Sequence, residues 1–321
     1  RADNRMSEKK WTLIVSPTPQ AQEAGEKLKS VVDWVDVADL DYTQDGLREY
    51  MTESLLYWVR DVGIDGYRCD VAGMVPTDFW EDVRPALDAV KPVFMLAEWQ
   101  EPELHNSAFD SSYAWRWKEI MQGIVKGENT ASDLVKYYAD YKSNWPKNAM
   151  RMAYTDNHDQ NTWDGLTQEI YGDAYEATIV LQFTGEGIPL IYNGQECGNT
   201  KRLAFFEKDQ IEWRCDDPIN KLFTDLVQLK TDNPALHNGA WGARMTPIDT
   251  SNPQNVLSFV RQTGENTVLV VINLSDETQN FQFSDGLPLG SYSDVRTGTA
   301  MAVKAGDMLL PPWGWAVYVR D

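Results

Sequence analysis

Little in this sequence serves thiol chemistry, metal clusters or polyanions. Only three cysteines (Cys69, Cys197, Cys215) and three histidines (His105, His158, His237) occur in 321 residues. That is too few, too oddly spaced, for a disulfide scaffold or a zinc cluster. Cys69 and Cys197, beside expected strand ends, read as small buried hydrophobes. No apolar run approaches the roughly 20 residues of a membrane-spanning helix. A Gly-rich phosphate loop with a downstream lysine is missing, as are tandem repeats and low-complexity tracts. Basic residues number 29 against 49 acidic ones, a net charge of −20. This disfavours nucleic acid and anionic membranes as partners and favours a neutral substrate. The chain opens on Arg1 without a basic-then-apolar leader, so an export signal is expected to have been removed or never to have existed.

What is present is apolar and aromatic. Hydrophobic residues make up 42% of a 36.6 kDa chain, enough for one large catalytic unit and a smaller module. Aromatic residues reach 12%; most should fill the core, although their faces also suit sugar rings. The residues before Thr43 form a loop-rich segment interrupted by Pro17 and Pro19. From Thr43, an expected N-cap, Leu47, Tyr50, Met51, Leu55, Trp58 and Val59 recur at helical spacing as far as Gly63. A strand is expected over 64–71, then a helix capped by Thr77, then a strand at 93–97. The alternation continues with a short apolar piece at 109–115, helices within 116–143, a strand at 150–155, a helix at 172–183 and a strand at 188–192. An amphipathic helix through Leu222, Leu226 and Leu229 closes this part. Such β-α-β alternation predicts a parallel sheet with helical crossovers. Beyond about residue 239 the period becomes two, with strands at 256–260, 267–274, 279–283 and 316–319, which predicts an antiparallel module.

Three stations place acidic residues just after apolar runs: Gly66-Tyr67-Arg68-Cys69-Asp70-Val71-Ala72, Met95-Leu96-Ala97-Glu98-Trp99 and Tyr154-Thr155-Asp156-Asn157-His158-Asp159. A (β/α) barrel keeps its reactive groups at such strand ends. Singly, each has a structural alternative. An Arg-x-Asp can be an ion pair, a Glu after a strand can start a helix, and Asp156 and Asp159 can serve an Asx turn or a cap. Jointly and in this order, the three resemble the signature of the α-amylase family of retaining glycosidases. Within it they are closest in flavour to neopullulanase and cyclomaltodextrinase relatives and to bacterial α-amylases.

That resemblance implies an α/β fold, the (β/α)8 TIM barrel, with strands 4–8 recognisable, followed by a C-terminal antiparallel β-sandwich. Residues 1–42 would be a loop-rich remnant of the domain after barrel strand 3, 43–238 the barrel part and 239–321 the sandwich. Asp70 would be the nucleophile, with Arg68 on the same strand face keeping it ionised. Glu98, desolvated beside Trp99, would be the acid/base, and Asp159 the third carboxylate. Arg68, His158, Trp99 and Asn157 would contact the sugar. The chemistry needs no cofactor. Many family members hold a structural calcium near the 37–42 junction, which makes Asp39 and Asp41 candidate ligands.

Two departures accompany the likeness. Three strand-helix units should precede Gly66, yet only irregular residues and one helix do, and the family's early Asn-His motif is absent. The front of the barrel is therefore expected to be supplied elsewhere in the same protein or lost, or else replaced by a rearranged fold. Many α-amylases also carry Lys-His after the nucleophile, where this chain has Gly73 and Met74. The function implied is hydrolysis of α-1,4-glucosidic bonds in starch-derived glucans or maltooligosaccharides by double displacement. The alternatives are an α-glucan transglycosylase or an inert glucan-binding fragment. A secreted or periplasmic location fits, as does cytoplasmic processing of short dextrins.

Overall fold

The computed structural model describes residues 40–321 apart from 217, 285, 305 and 321. Residues 37–39, Asp39 among them, lie outside the described residues. The chain divides into two compact units: residues up to Gly66 with Met74–Val93, and Tyr67–Gly73 with everything from Phe94 onward.

In the first unit, helix α1 (Asp45–Tyr57) runs into one π turn (Trp58–Val62) ended by Gly63 at φ +86°, a left-handed stop that glycine adopts without steric cost. Thr43 does not cap α1: Gln44 holds that position without a side-chain hydrogen bond. The Thr43 hydroxyl and amide instead donate to Asp41 at 2.6 and 3.0 Å, a local turn that competes with capping. Helix α2 (Thr77–Asp88) buries Phe79, Trp80, Val83 and Leu87, spaced as one helical face. Pro76 holds the cap position and Thr77 is the first helical residue, so the helix starts one residue earlier than expected. Arg48 pairs with Asp78 at 2.9 Å and Tyr42 packs on Phe79.

The second unit contains a five-stranded sheet. Its strands are β1 (Gly66–Cys69), β2 (Phe94–Ala97), β3 (Ser111–Tyr113), β4 (Met150–Ala153) and β5 (Ile188–Pro189), hydrogen-bonded in sequence order. Leu96 pairs with Ser111, Ser111 with Met150 and Met152 with Ile188, all parallel. Parallel neighbours need crossovers. Two are built from helices α3 (Trp115–Val125) and α4 (Ala131–Asn144), then α5 (Gln160–Trp163), α6 (Thr167–Tyr171) and α7 (Tyr175–Thr184). Thr130 and Asp133 close a capping box on α4. Every residue of α7 except Glu176 is buried, as suits a helix apolar all round. After β5 comes α8 (Pro218–Asp232), burying Phe223, Leu226 and Leu229.

The C-terminal part holds a six-stranded sheet and a two-stranded one. The first has the order β11 (Ala300–Val303), β10 (Gly290–Asp294), β13 (Trp315–Arg320), β8 (Asn266–Asn273), β7 (Val256–Thr263) and β6 (Thr246–Pro247). The second pairs β12 (Asp307–Leu310) with β9 (Gln279–Gln282), antiparallel. Strand β8 is buried on both faces. Val268, Val270 and Ile272 join the core that contains Tyr138 and Val180, while Leu269 and Val271 join Phe281 and Leu310. A middle layer covered on both sides has no polar face, which is why this strand reads as a continuous apolar run. Strands β10, β11 and β12 were not expected from the sequence; Gly290–Asp294 in particular is polar at every second position or more.

One expectation is overturned. Cys197 is not a lone buried hydrophobe but forms a disulfide with Cys215, their Cα atoms 4.2 Å apart. The bridge closes an irregular stretch with neither apolar period nor flanking cysteine pattern, so nothing in the spacing announced it. Cys69 is free and buried, its thiol pushed up to about 12 by desolvation.

Candidate active site

Arg68 is the hub of the site. It lies near the end of β1, two residues before Asp70, so both side chains leave the same face of the chain. One terminal nitrogen of its guanidinium pairs with Asp70 Oδ1, and the other pairs with Glu98 Oε1 at 2.8 Å. Its Nε donates to the Tyr113 hydroxyl at 3.3 Å. A planar fork with fixed donor directions thus holds two carboxylates from adjacent strands side by side.

The chain bends sharply after Asp70. Val71 has φ +39°, a conformation uncommon for a β-branched residue and of the kind that collects at functional sites. The bend presents the Val71 amide to Glu98 Oε2, 2.9 Å away. Glu98 therefore has both oxygens engaged, and its side chain is 12% exposed against 74% for Asp70. Burial raises the Glu98 pKa, the Asp70 charge pushes the same way, and the Val71 amide and Arg68 pull it down. One carboxylate is open to solvent; the other is sheltered, and its burial favours the protonated form.

Trp99 follows Glu98. Its indole fills the space a side chain at position 73 would need and meets Trp115 edge-on at 5.8 Å. Gly73 thus has a steric reason to be glycine. Tyr113, from β3, was not singled out in the sequence, since Ser111-Ser112-Tyr113 carries no motif. Burial raises its pKa, Arg68 lowers it, and both Glu98 and Asp159 raise it further. The charges of Arg68, Glu98 and Asp159 therefore all reach this one hydroxyl.

The third station follows β4. His158 Nε2 lies 3.4 Å from Asp159 Oδ2, with both side chains substantially exposed. Asn157 is buried, and its side-chain oxygen accepts from the Asp159 and Gln160 amides at 3.0 and 2.8 Å, so this oxygen starts α5 rather than facing a ligand. Asp156 is also buried; it accepts from the Asn157 amide at 2.9 Å and the Asn161 carboxamide at 3.4 Å. Burial pushes its pKa up to about 7. The unfolded carboxyl releases its proton near 3.8 and the folded one near 7, so this group makes the protein less stable as pH rises through that window. Asp156→Asn should remove the loss: urea midpoints of the two proteins should diverge between about pH 4 and about pH 8, in favour of the variant. A gap that stays constant with pH rejects this.

Asp41 is no ready calcium ligand. Its carboxylate accepts from Thr43 and Gln44, and the Thr43 hydroxyl leads the hydrogen bonds that lower its pKa. Among the described residues no group of three His, Cys, Asp or Glu stands together as metal ligands. A cavity of about 620 Å³ touches Glu176, Arg296, Lys221, Asp225 and Trp315. None of the three stations lines it, and within it Lys221 pairs with Asp225 and Arg296 with Glu176.

Comparison with known proteins fits this geometry. Residues 30–234 match the family described as "Alpha amylase, catalytic domain", and 245–317 match "Maltogenic Amylase, C-terminal domain". The chain is 29% identical over 252 residues to the maltogenic alpha-amylase of Bacillus acidopullulyticus, covering 74% of this chain and 42% of the relative. A cyclomaltodextrinase of Geobacillus thermopakistaniensis is 25% identical over 289 residues, covering 86% and 48%. A cyclomaltodextrin glucanotransferase of Bacillus licheniformis is 24% identical over 288 residues, covering 82% and 37%. The chain spans about half or less of the length of the curated relatives it matches. Among solved structures, a noncanonic maltogenic alpha-amylase AmyB from Thermotoga neapolitana superposes with TM-score 0.78 at 25% identity, covering 89% of this chain and 68% of that one. Since the catalytic-domain match takes in well over half of the sequence and all three carboxylate stations, the chain belongs to the alpha-amylase family.

Proposed function

We propose that this chain carries the reacting carboxylates of a retaining hydrolase of α-1,4-glucans. The observation that supports it most is the single Arg68 guanidinium held between Asp70 and Glu98. Retention requires two carboxyl groups about 5 Å apart, and a guanidinium shared by both carboxylates, which keeps them near one another, supports that reading. Asp70, exposed and paired with a cation, attacks the anomeric carbon. Glu98, sheltered and with a raised pKa, gives its proton to the departing glycosidic oxygen. Once Asp70 is glycosylated its charge is gone, so the Glu98 pKa falls; Glu98 then takes a proton from water, which displaces Asp70 from the sugar. Asp159 stabilises the oxocarbenium-like transition state, with His158 donating to a sugar hydroxyl. Trp99 walls the site, and Asn157 acts by fixing the turn that carries His158 and Asp159.

The layout proposed is 43–238 as strands 4–8 of a (β/α)8 barrel with their helices and 239–321 as the β-sandwich; residues 1–39 lie outside the described residues. Strands β1 and β5 are the sheet's two edges, and a barrel would close across them. The remaining strands are read as belonging to another part of the same protein.

The longest natural form, given maltoheptaose, should release sugars of α configuration at first, as read by proton NMR. Products of β configuration, or none, reject the reading. Glucan transfer is the second reading, because a glucanotransferase is among the relatives. Elongated products at high maltose concentration would identify it.

A further inference from the structure

Trp163, Phe205 and Phe206 form an exposed aromatic ledge that the carboxylate chemistry does not use. They are 59%, 40% and 77% exposed. Their ring centroids lie 5.2 Å (Trp163–Phe205) and 4.8 Å (Phe205–Phe206) apart, at interplanar angles of 48° and 77°. Single exposed apolar residues are ordinary, whereas three in contact on one rim point to a ligand. Resting on the α-glucan reading above, we propose that this ledge binds the glucan chain beyond the cleavage point, each ring taking the apolar face of a glucose unit.

Three observations favour that occupant. The first is continuity with the site: the Trp163 amide donates to the Asp159 carbonyl at 2.8 Å, so the ledge begins one helical turn from the third carboxylate. The second is pre-organisation. Arg202 donates to the carbonyls of Thr162 and Trp163 at 2.6 and 2.8 Å. Asn161 accepts from the Leu203 amide at 2.8 Å, and the Thr162 hydroxyl donates to the Leu203 carbonyl at 2.8 Å. The segment after β5 is thereby pinned to the turn after β4, and a platform ordered before binding loses less entropy when a chain docks. The third is charge. Lys201 pairs with Asp209 beside the ledge, and the chain carries −20 overall, which suits a neutral ligand over an acidic one. Sugar rings offer such a neutral, partly apolar face.

The test uses the longest natural form, in parallel with Phe206→Ala, Trp163→Ala and the conservative Phe206→Tyr. In a Glu98→Gln background, calorimetry should show maltoheptaose binding weakened about tenfold by either alanine and restored by tyrosine. In the active protein, KM for maltoheptaose should rise by a similar factor while kcat changes less than twofold. Normal turnover with unchanged maltoheptaose affinity in both alanine variants overturns the ledge and leaves the hydrolase reading standing. Ledge-dependent binding without turnover of any glucan keeps the ledge and overturns the hydrolase. Self-association abolished by Phe206→Ala, with glucan affinity intact, would make the ledge a protein interface and overturn the inference.

Discussion

Asp70→Asn and Glu98→Gln are each expected to lower kcat/KM on maltooligosaccharides by about a thousandfold or more, with the circular dichroism spectrum unchanged. The two losses should differ in kind. An aryl glycoside whose leaving group departs without a proton should recover much of the first-step rate in Glu98→Gln, because only the proton donor is missing. It should recover none in Asp70→Asn, which lacks the nucleophile. The pH profile separates them again. Glu98 acts first as an acid, so kcat/KM falls as pH rises through its raised pKa, and Glu98→Gln should lose that alkaline limb with the activated substrate. Arg68 pulls the same pKa down, so Arg68→Gln should move the limb to higher pH. If neither carboxylate variant falls below about a tenth of the parent rate, the proposed roles are wrong.

Arg261→Met should destabilise the protein by about 3–5 kcal/mol in equilibrium urea unfolding. Arg261 lies on β7 and is 2% exposed. Its Nε donates to the Ala243 carbonyl at 2.9 Å, Nη1 to the Gly185 carbonyl at 2.8 Å and Nη2 to the His237 carbonyl at 2.7 Å. Longer bonds reach Thr184 and Leu236. Burial pushes its pKa down to about 10, so it stays charged at neutral pH. These carbonyls end α7 and line the passage from α8 to the C-terminal sheet, and methionine would take the guanidinium's donors from those of Gly185, His237 and Ala243. Glu186, which accepts from Arg244 and the Met245 amide, would also lose a nearby cation. Arg261→Lys should fall in between, since an ammonium cannot fork to three directions. A methionine variant within about 1 kcal/mol of the parent would show that water or local rearrangement satisfies the carbonyls.

Much of the site was legible because strand periodicity is local. The apolar runs ending at Cys69, Ala97 and Ala153 appear as strands within a residue or two of their expected ends, and the Arg68-x-Asp70 spacing does put both groups on one face. The link from Arg68 to Glu98 was not legible: it spans two strands, and nothing in the spacing of either states that they are neighbours. The same holds for Tyr113, whose strand has no apolar signature, and for the Val71 amide, whose role comes from a backbone angle. Asn157 has a local task that its motif position did not state: its side-chain oxygen is taken up by the turn itself.

By itself the sequence determined four of the five parallel strands, the carboxylates at strand ends and the switch to an antiparallel module, because each rests on hydrophobic period and turn residues within a short window. Only the tertiary structure decided which charges share a partner, that Cys197 meets Cys215, and that Arg261 on a strand closes over helix-terminal carbonyls. Those contacts join residues far apart along the chain, and their energy depends on burial and geometry that exist only once the sheets and helices have packed.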